Sequence, residues 1–388
     1  MKLSALIAYR FLLIFGGFTM VWAEPSFARV DVFTAGTEGY YAFRIPTLVT
    51  TLDGTLISFA EGRKENLRDP GGGDIDLVYK RSLDQGKSWS SLMVLDDPGE
   101  KWAASNPASV VDRTNARVWV VYNRWEPLRG GANSKPNTTH NTTWVRHSDN
   151  HGKTWSPARE ITHQVRDFKD WAMTVIGPGG AIQSQTGRLL IPASMGWDTY
   201  RILVSIGDFE GEVLFERSFV IYSDDHGESW KRGELVRTLT DENQLVELVD
   251  GAIMIDARQG SGSHRWVAIS QDGGQTWSRP RPGQTLPPVA TSIERFSVQE
   301  GSRGRNRILW TGPAGPGRLN LVVRVSYDEG QTFVGEKVLY EGLAAYSDMS
   351  ILKNQTVGVL FERGLSENYQ FISFTRFSRE FLESPSHP

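Results

Sequence analysis

The chain has 388 residues, 42 Lys and Arg against 45 Asp and Glu, and no cysteine. A formal charge of −3 gives no electrostatic ground for a nucleic-acid or anionic-membrane partner. Without cysteine there is no disulfide, thiolate metal site or thiol nucleophile, so stability rests on packing by 13 Trp, 18 Phe and 11 Tyr.

In chain order, Lys2 and Arg10 accompany an apolar run from Phe11 to Ala23, with small residues at Ala23 and Ala28. Residues 1–28 read as an export signal, which implies a secreted or periplasmic protein; the alternative is an uncleaved anchor. The apolar run is too short for an ordinary membrane-spanning helix. From Val30 to Phe377 the chain is a series of short apolar or alternating runs, such as VWVVYN, RLLIPAS and TVGVLFE, broken by Gly, Pro, Asn and Asp. No sustained helical period occurs, which predicts an all-β domain over 29–380, brief helical connectors and a frayed tail at 381–388. The segment from Val30 is expected to pair with the last strands. Asn137, Asn141 and Asn354 begin N-x-Ser/Thr triplets, a pattern short enough to arise by chance.

One phrase recurs: SLDQGKSW from Ser82, SDNHGKTW from Ser148, SDDHGESW from Ser223, SQDGGQTW from Ser270 and SYDEGQTF from Ser326. The starts lie 66, 75, 47 and 56 residues apart, spacing that fits units of four short strands with unequal loops. A β-propeller of about six blades is the predicted fold. Within the phrase the Asp caps a tight turn, the Gly takes a positive φ, and the aromatic packs between strands. Five copies mark it as structural, because a functional box would need five equivalent reactions.

The chemistry must lie elsewhere. Arg44 in FRIP is a lone guanidinium in an apolar strand and needs an anion, for which Glu362 of VLFER is the candidate. Arg258 ends the run GAIMIDAR, Arg318 begins RLNLVVRV, and Asp69, Glu242 and Tyr346 fall in loops at strand ends.

With these residues the chain resembles the exo-sialidases with Asp boxes over nearly all of Val30 to Phe377. FRIP, LRDPGGGD, ENQLVELVDGAIMIDAR, AYSD and LFE match motifs of that family. The resemblance implies a six-bladed propeller that hydrolyses terminal α-linked sialic acids from glycoconjugates. It further implies Tyr346 as nucleophile, Glu242 as its base, Asp69 as acid/base, and Arg44, Arg258 and Arg318 on the substrate carboxylate, with Glu362 holding Arg44. These residue types suit the substrate. Planar guanidiniums match a carboxylate, and a neutral phenol meets the anionic sugar without the repulsion a carboxylate nucleophile would suffer.

Competing neighbours exist. Asp74 and Asp76 stand near Asp69 but lead into a strand, Glu247 alternates into the strand that Glu242 precedes, and Arg324 shares parity with Arg318 about 20 Å along an extended strand. Arg324 lies two residues from a box, on the rim expected to face away from the site, so Arg318 is preferred. Trp125, Trp171 and Phe209 are candidate walls for the sugar's side groups, with the core as the commoner home of such aromatics. The reaction requires no metal or cofactor, and a monomer is expected. The alternatives are a non-catalytic propeller that binds glycans, a trans-sialidase and a hydrolase of deaminated nonulosonic acid; the first should lack Tyr346 or an arginine of the triad.

Overall fold

The computed structural model describes residues 29–127, 141–169, 171–206, 209–260, 262–299 and 304–384. Residues 1–28, read above as an export signal, the triplet at Asn137 and the end of the tail lie outside them. Strands dominate, and the helix Thr162–Val165 is a short connector, as the lack of helical periodicity predicts; the helix Arg379–Glu383 instead runs into the tail expected to fray, held there by the buried Leu382 and by Arg307 on Glu383. Among the described residues no helix is long and apolar enough to cross a membrane.

The strands form four curled sheets of seven, five, nine and four strands, mostly antiparallel between neighbours in sequence. The first strand, Val30–Thr34, pairs with Phe371–Phe377, the pairing expected for the segment from Val30. Inner strands such as Ala42–Thr50 and Leu56–Arg63 are buried along almost their whole length, because each sheet is packed on both faces. Phe33, Phe43, Leu56 and Phe374 join the two ends of the chain in one cluster, while Phe59 and Tyr79 meet Trp155 edge-on at 5.7 and 5.9 Å. Full burial of each such ring contributes about 1.5–3 kcal/mol.

The five repeated turns share one hydrogen-bond pattern. In the first, Ser82 Oγ donates to Asp84 Oδ1 at 2.8 Å and accepts the Gly86 amide at 2.8 Å, and Asp84 Oδ1 accepts the Ser88 amide at 2.9 Å. Asn150 replaces the aspartate in the second copy and keeps the pattern, accepting the Thr154 amide at 2.9 Å. The glycine does more than supply φ. A Cβ on Gly86 would lie 2.0 Å from the Phe374 ring, and one on Gly227 would lie 2.3 Å from Trp119, so these turns press bare backbone against a neighbouring unit.

Near the middle of the molecule, Asp348 is fully buried and accepts four hydrogen bonds. They come from the Leu48 and Gly180 amides at 2.8 and 3.0 Å, Gln244 Nε2 at 2.9 Å and Ser292 Oγ at 3.3 Å. These donors belong to three of the four sheets. Burial pushes the Asp348 carboxyl up to about 6 against the pull of its donors. The triplet residue Asn141 is buried too, and its Oδ1 accepts Arg166 Nη2 and the Thr174 amide.

Candidate active site

Three ladders are broken close together, with register shifts between Arg44 and Thr47, Ser105 and Ala108, and Ala344 and Ser347. Ile45 and Asn106 take φ of 60° and 53° at two of these breaks, which for β-branched Ile45 is a strained choice. Such irregularities turn side chains out of the sheet's alternation. The first frees the Ile45 amide to donate to Glu362 Oε1 at 2.9 Å.

Glu362, fully buried, is the anion Arg44 needs: Nε reaches Oε1 at 3.0 Å and Nη2 reaches Oε2 at 3.2 Å. The same carboxylate accepts the Tyr346 amide at 3.3 Å. The guanidinium of Arg44 sits 5.2 Å from the Tyr346 ring centre, and its Nη1 lies 3.9 Å from Asp69.

The Tyr346 hydroxyl donates to Glu242, whose oxygens lie at 2.6 and 2.8 Å, and accepts Arg258 Nη1 at 2.9 Å. Arg258 also pairs with Glu242 at 2.6 Å and grips Asp241 with Nε at 2.8 Å and Nη2 at 2.6 Å. Burial pushes the Glu242 carboxyl up while Arg258 opposes it. Burial and the Glu242 carboxylate hold the Tyr346 phenol protonated, far above the ordinary tyrosine range. Nearby, burial and then the charge on Asp241 push Glu216 up to about 8. The Tyr346–Glu242 hydrogen bond thus joins a protonated phenol to a carboxylate of raised basicity already in contact, the nucleophile-and-base arrangement that covalent catalysis requires.

Arg318 completes the group, with its guanidinium 5.3 Å from the Tyr346 ring centre. Arg324 lies elsewhere, bonded to Glu336 Oε2 at 2.9 and 2.7 Å and to Gln284 at 2.7 Å. Asp69 is 83% exposed on its loop, 3.2 Å from Arg63 Nη2. Of the competing acids, Asp74 and Asp76 pair with Lys64 at 2.9 and 2.8 Å, and Glu247 accepts the Gln185 amide at 3.0 Å. The structure therefore brings Arg44, Asp69, Glu242, Arg258, Arg318, Tyr346 and Glu362 into one cluster.

Trp171 is not a site wall. It is buried in the core against Phe219, with ring centres 4.9 Å apart. Trp125 is half-buried and donates to Ser105 Oγ at 2.9 Å, and the Phe209 side chain lies outside the described residues. The sequence reading missed Asp241, which clamps Arg258, and the pair Glu61 and Arg63, in contact at 2.7 Å beneath the Asp69 loop. Their signals were an acidic doublet before a strand, and an acid and a base two apart on one strand face. It missed Tyr369 as well, which contacts two arginines of the cluster.

A sequence profile described as a BNR repeat-like domain matches residues 54–359, so the chain belongs to that family. Within it the chain belongs with the sialidases. It is 31% identical over 365 residues to a sialidase of Micromonospora viridifaciens, covering 89% of this chain and 54% of that protein. It is 30% identical over 358 residues to a sialidase of Bacteroides fragilis, covering 87% of this chain and 63% of that protein. The chain thus spans between 54% and 63% of the length of these two relatives. Among solved structures, the Hadza microbial sialidase Hz136 superposes with a TM-score of 0.80 at 26% identity, covering 91% of this chain and 68% of that one.

Proposed function

We propose that this protein is an exo-α-sialidase, a retaining glycoside hydrolase that removes terminal α-linked sialic acid from glycoconjugates. The observation that carries the reading is the Tyr346 phenol bonded to Glu242 at 2.6 Å and flanked by three guanidiniums. Arg44, Arg258 and Arg318 bind the carboxylate on the sugar's anomeric carbon, which sets that carbon above the phenol oxygen. Tyr346 Oη attacks it and gives its proton to Glu242, while protonated Asp69 donates its proton to the departing oxygen as the glycosidic bond breaks. In the second half Asp69 takes a proton from water, the water oxygen attacks the same carbon, and the bond to Tyr346 breaks. Glu242 returns the proton to the phenol. Two displacements at one carbon retain its configuration.

The strand order supports a six-bladed propeller as the frame. Successive strands group into six antiparallel units of four, with Val334–Ile351 shared between the last two and Val30–Thr34 completing the sixth. A secreted or periplasmic monomer fits the same reading. A non-catalytic propeller would not need Tyr346 and the arginine cluster together.

The test is hydrolysis of a fluorogenic α-sialoside followed by proton NMR of the sugar first released. The α anomer is expected before mutarotation. Release of the β anomer, or a folded protein that leaves sialosides intact, refutes the proposal.

A further inference from the structure

The three arginines around Tyr346 are not held alike. Arg44 and Arg258 each have a carboxylate partner gripped through two nitrogens, Glu362 and Asp241 respectively. Arg318 bonds only neutral acceptors among the described residues: Nη1 to the Tyr369 hydroxyl at 2.5 Å and Nη2 to the Pro288 carbonyl at 3.3 Å. A guanidinium on a long, flexible stem and without a paired anion keeps most of its rotamer freedom unless something else fixes it.

Tyr369 is placed to do that for two arginines at once. Its ring lies against Arg44, with the guanidinium carbon 3.9 Å from the ring centre, inside cation–π range. Its hydroxyl meets Arg318. The residue sits in the connection between Val357–Arg363 and Phe371–Phe377 with φ at 73°, a left-handed conformation unusual for a bulky aromatic. The connection is stapled. Gln370 Oε1 accepts the Leu365 and Ser366 amides at 2.6 and 3.2 Å, and the Gln370 carbonyl accepts the Ala35 amide at 2.9 Å. Strain of this kind persists where the surroundings over-determine it, and it collects at functional sites.

We infer that Tyr369 is a positioning residue that fixes Arg44 through its ring face and Arg318 through its hydroxyl, preorganising both for the substrate carboxylate. The inference rests on the sialidase reading above. Because the carboxylate is present in both the bound substrate and the transition state, Tyr369 acts on binding and leaves the chemical step nearly untouched.

The experiment compares wild type, Tyr369→Phe, Arg318→Ala and the double variant, by sialoside kinetics and by calorimetric binding of 2,3-dehydro-2-deoxy-N-acetylneuraminic acid. Tyr369→Phe keeps the ring against Arg44 and removes one charge-assisted hydrogen bond. It should raise KM and weaken the inhibitor by about tenfold, with kcat within about threefold. In the Arg318→Ala background the same change should alter binding less than about twofold, because the hydroxyl's partner is gone. A structural role would instead lower the melting temperature and cost the same in both backgrounds. Equal binding by wild type and Tyr369→Phe, or full additivity in the double variant, overturns the inference alone. Wild type that neither binds the inhibitor nor cleaves the sialoside overturns the sialidase reading and this inference with it.

Discussion

Replacing Glu362 by Gln changes one atom and strikes both the fold and the reaction. One carboxylate oxygen takes Arg44 Nε and the Ile45 amide at 3.0 and 2.9 Å, and the other takes Arg44 Nη2 and the Tyr346 amide at 3.2 and 3.3 Å. An amide can keep only one of these pairs, since its nitrogen offers protons where two donors already point. Two buried donors lose their acceptor at about 1–3 kcal/mol each, and Arg44 loses its counter-charge. Breaking a buried pair from one side costs about 3–5 kcal/mol, an overlapping estimate of the same loss, so about 4 kcal/mol is expected. Urea unfolding followed by tryptophan fluorescence should show a lower midpoint with an unchanged slope. The folded fraction should lose at least about 100-fold in kcat/KM, because Arg44 and the Tyr346 backbone share that carboxylate. A stability change under about 1 kcal/mol would refute the packing argument. Wild-type kcat/KM in a destabilised variant would refute the catalytic link.

Tyr346→Phe should lower kcat by at least about 1,000-fold and leave the melting temperature within a few degrees, because Glu242 and Arg258 still neutralise each other at 2.6 Å. Unchanged kcat in the folded variant would remove Tyr346 as nucleophile. Arg318→Ala should weaken a carboxylate-bearing inhibitor by at least about 30-fold and Arg324→Ala by less than about twofold, measured calorimetrically; the reverse order would contradict the placement of Arg318 beside Tyr346. The repeated turns predict acid lability. Hydrogen bonds from Ser88 and Ser82, working against burial, hold Asp84 at about 2, and Asp225, Asp272 and Asp328 are likewise depressed. A depressed carboxyl stabilises the fold above its unfolded value, and that contribution is lost as the pH falls toward about 2. Asp84→Asn, which imitates the natural turn at Asn150, should therefore flatten the loss of stability below pH ~4, read by circular dichroism during acid titration. An acid limb identical to wild type would count against the turns as its source.

Arg44 and Glu362 could be paired on paper across 318 positions because an isolated guanidinium in an apolar strand demands an anion. Arg318 could be separated from Arg324 because strand length puts them at opposite ends. Other features had weaker signals. Asp241 and Glu242 are chemically alike and adjacent, and only the Arg258 side chain, with Asp241 on one edge and Glu242 and Tyr346 beside Nη1, gives them different partners. Tyr369 carries no local mark at all, since its role depends on a backbone angle that its residue type disfavours. Trp171 illustrates the converse limit: an indole in a short strand-rich segment suits a sugar-binding wall or a core equally, and only the Phe219 ring beside it decides. The box glycines were legible as turn formers but not as contact points, because the ring that meets Gly86 belongs to Phe374, about three quarters of the chain away.

The pairing of Val30–Thr34 with Phe371–Phe377 also bears on how the protein is made. A ribosome working at about 5–20 residues per second needs roughly 15–65 s after adding Arg44 before it adds Glu362. Throughout that interval a cation destined for burial and an unpaired strand edge have no native partner, so a truncated or stalled product can carry every repeat up to Ser326 and still lack both Tyr346 and the carboxylate that orders Arg44. Activity is thereby withheld until the last sixty or so residues have been synthesised.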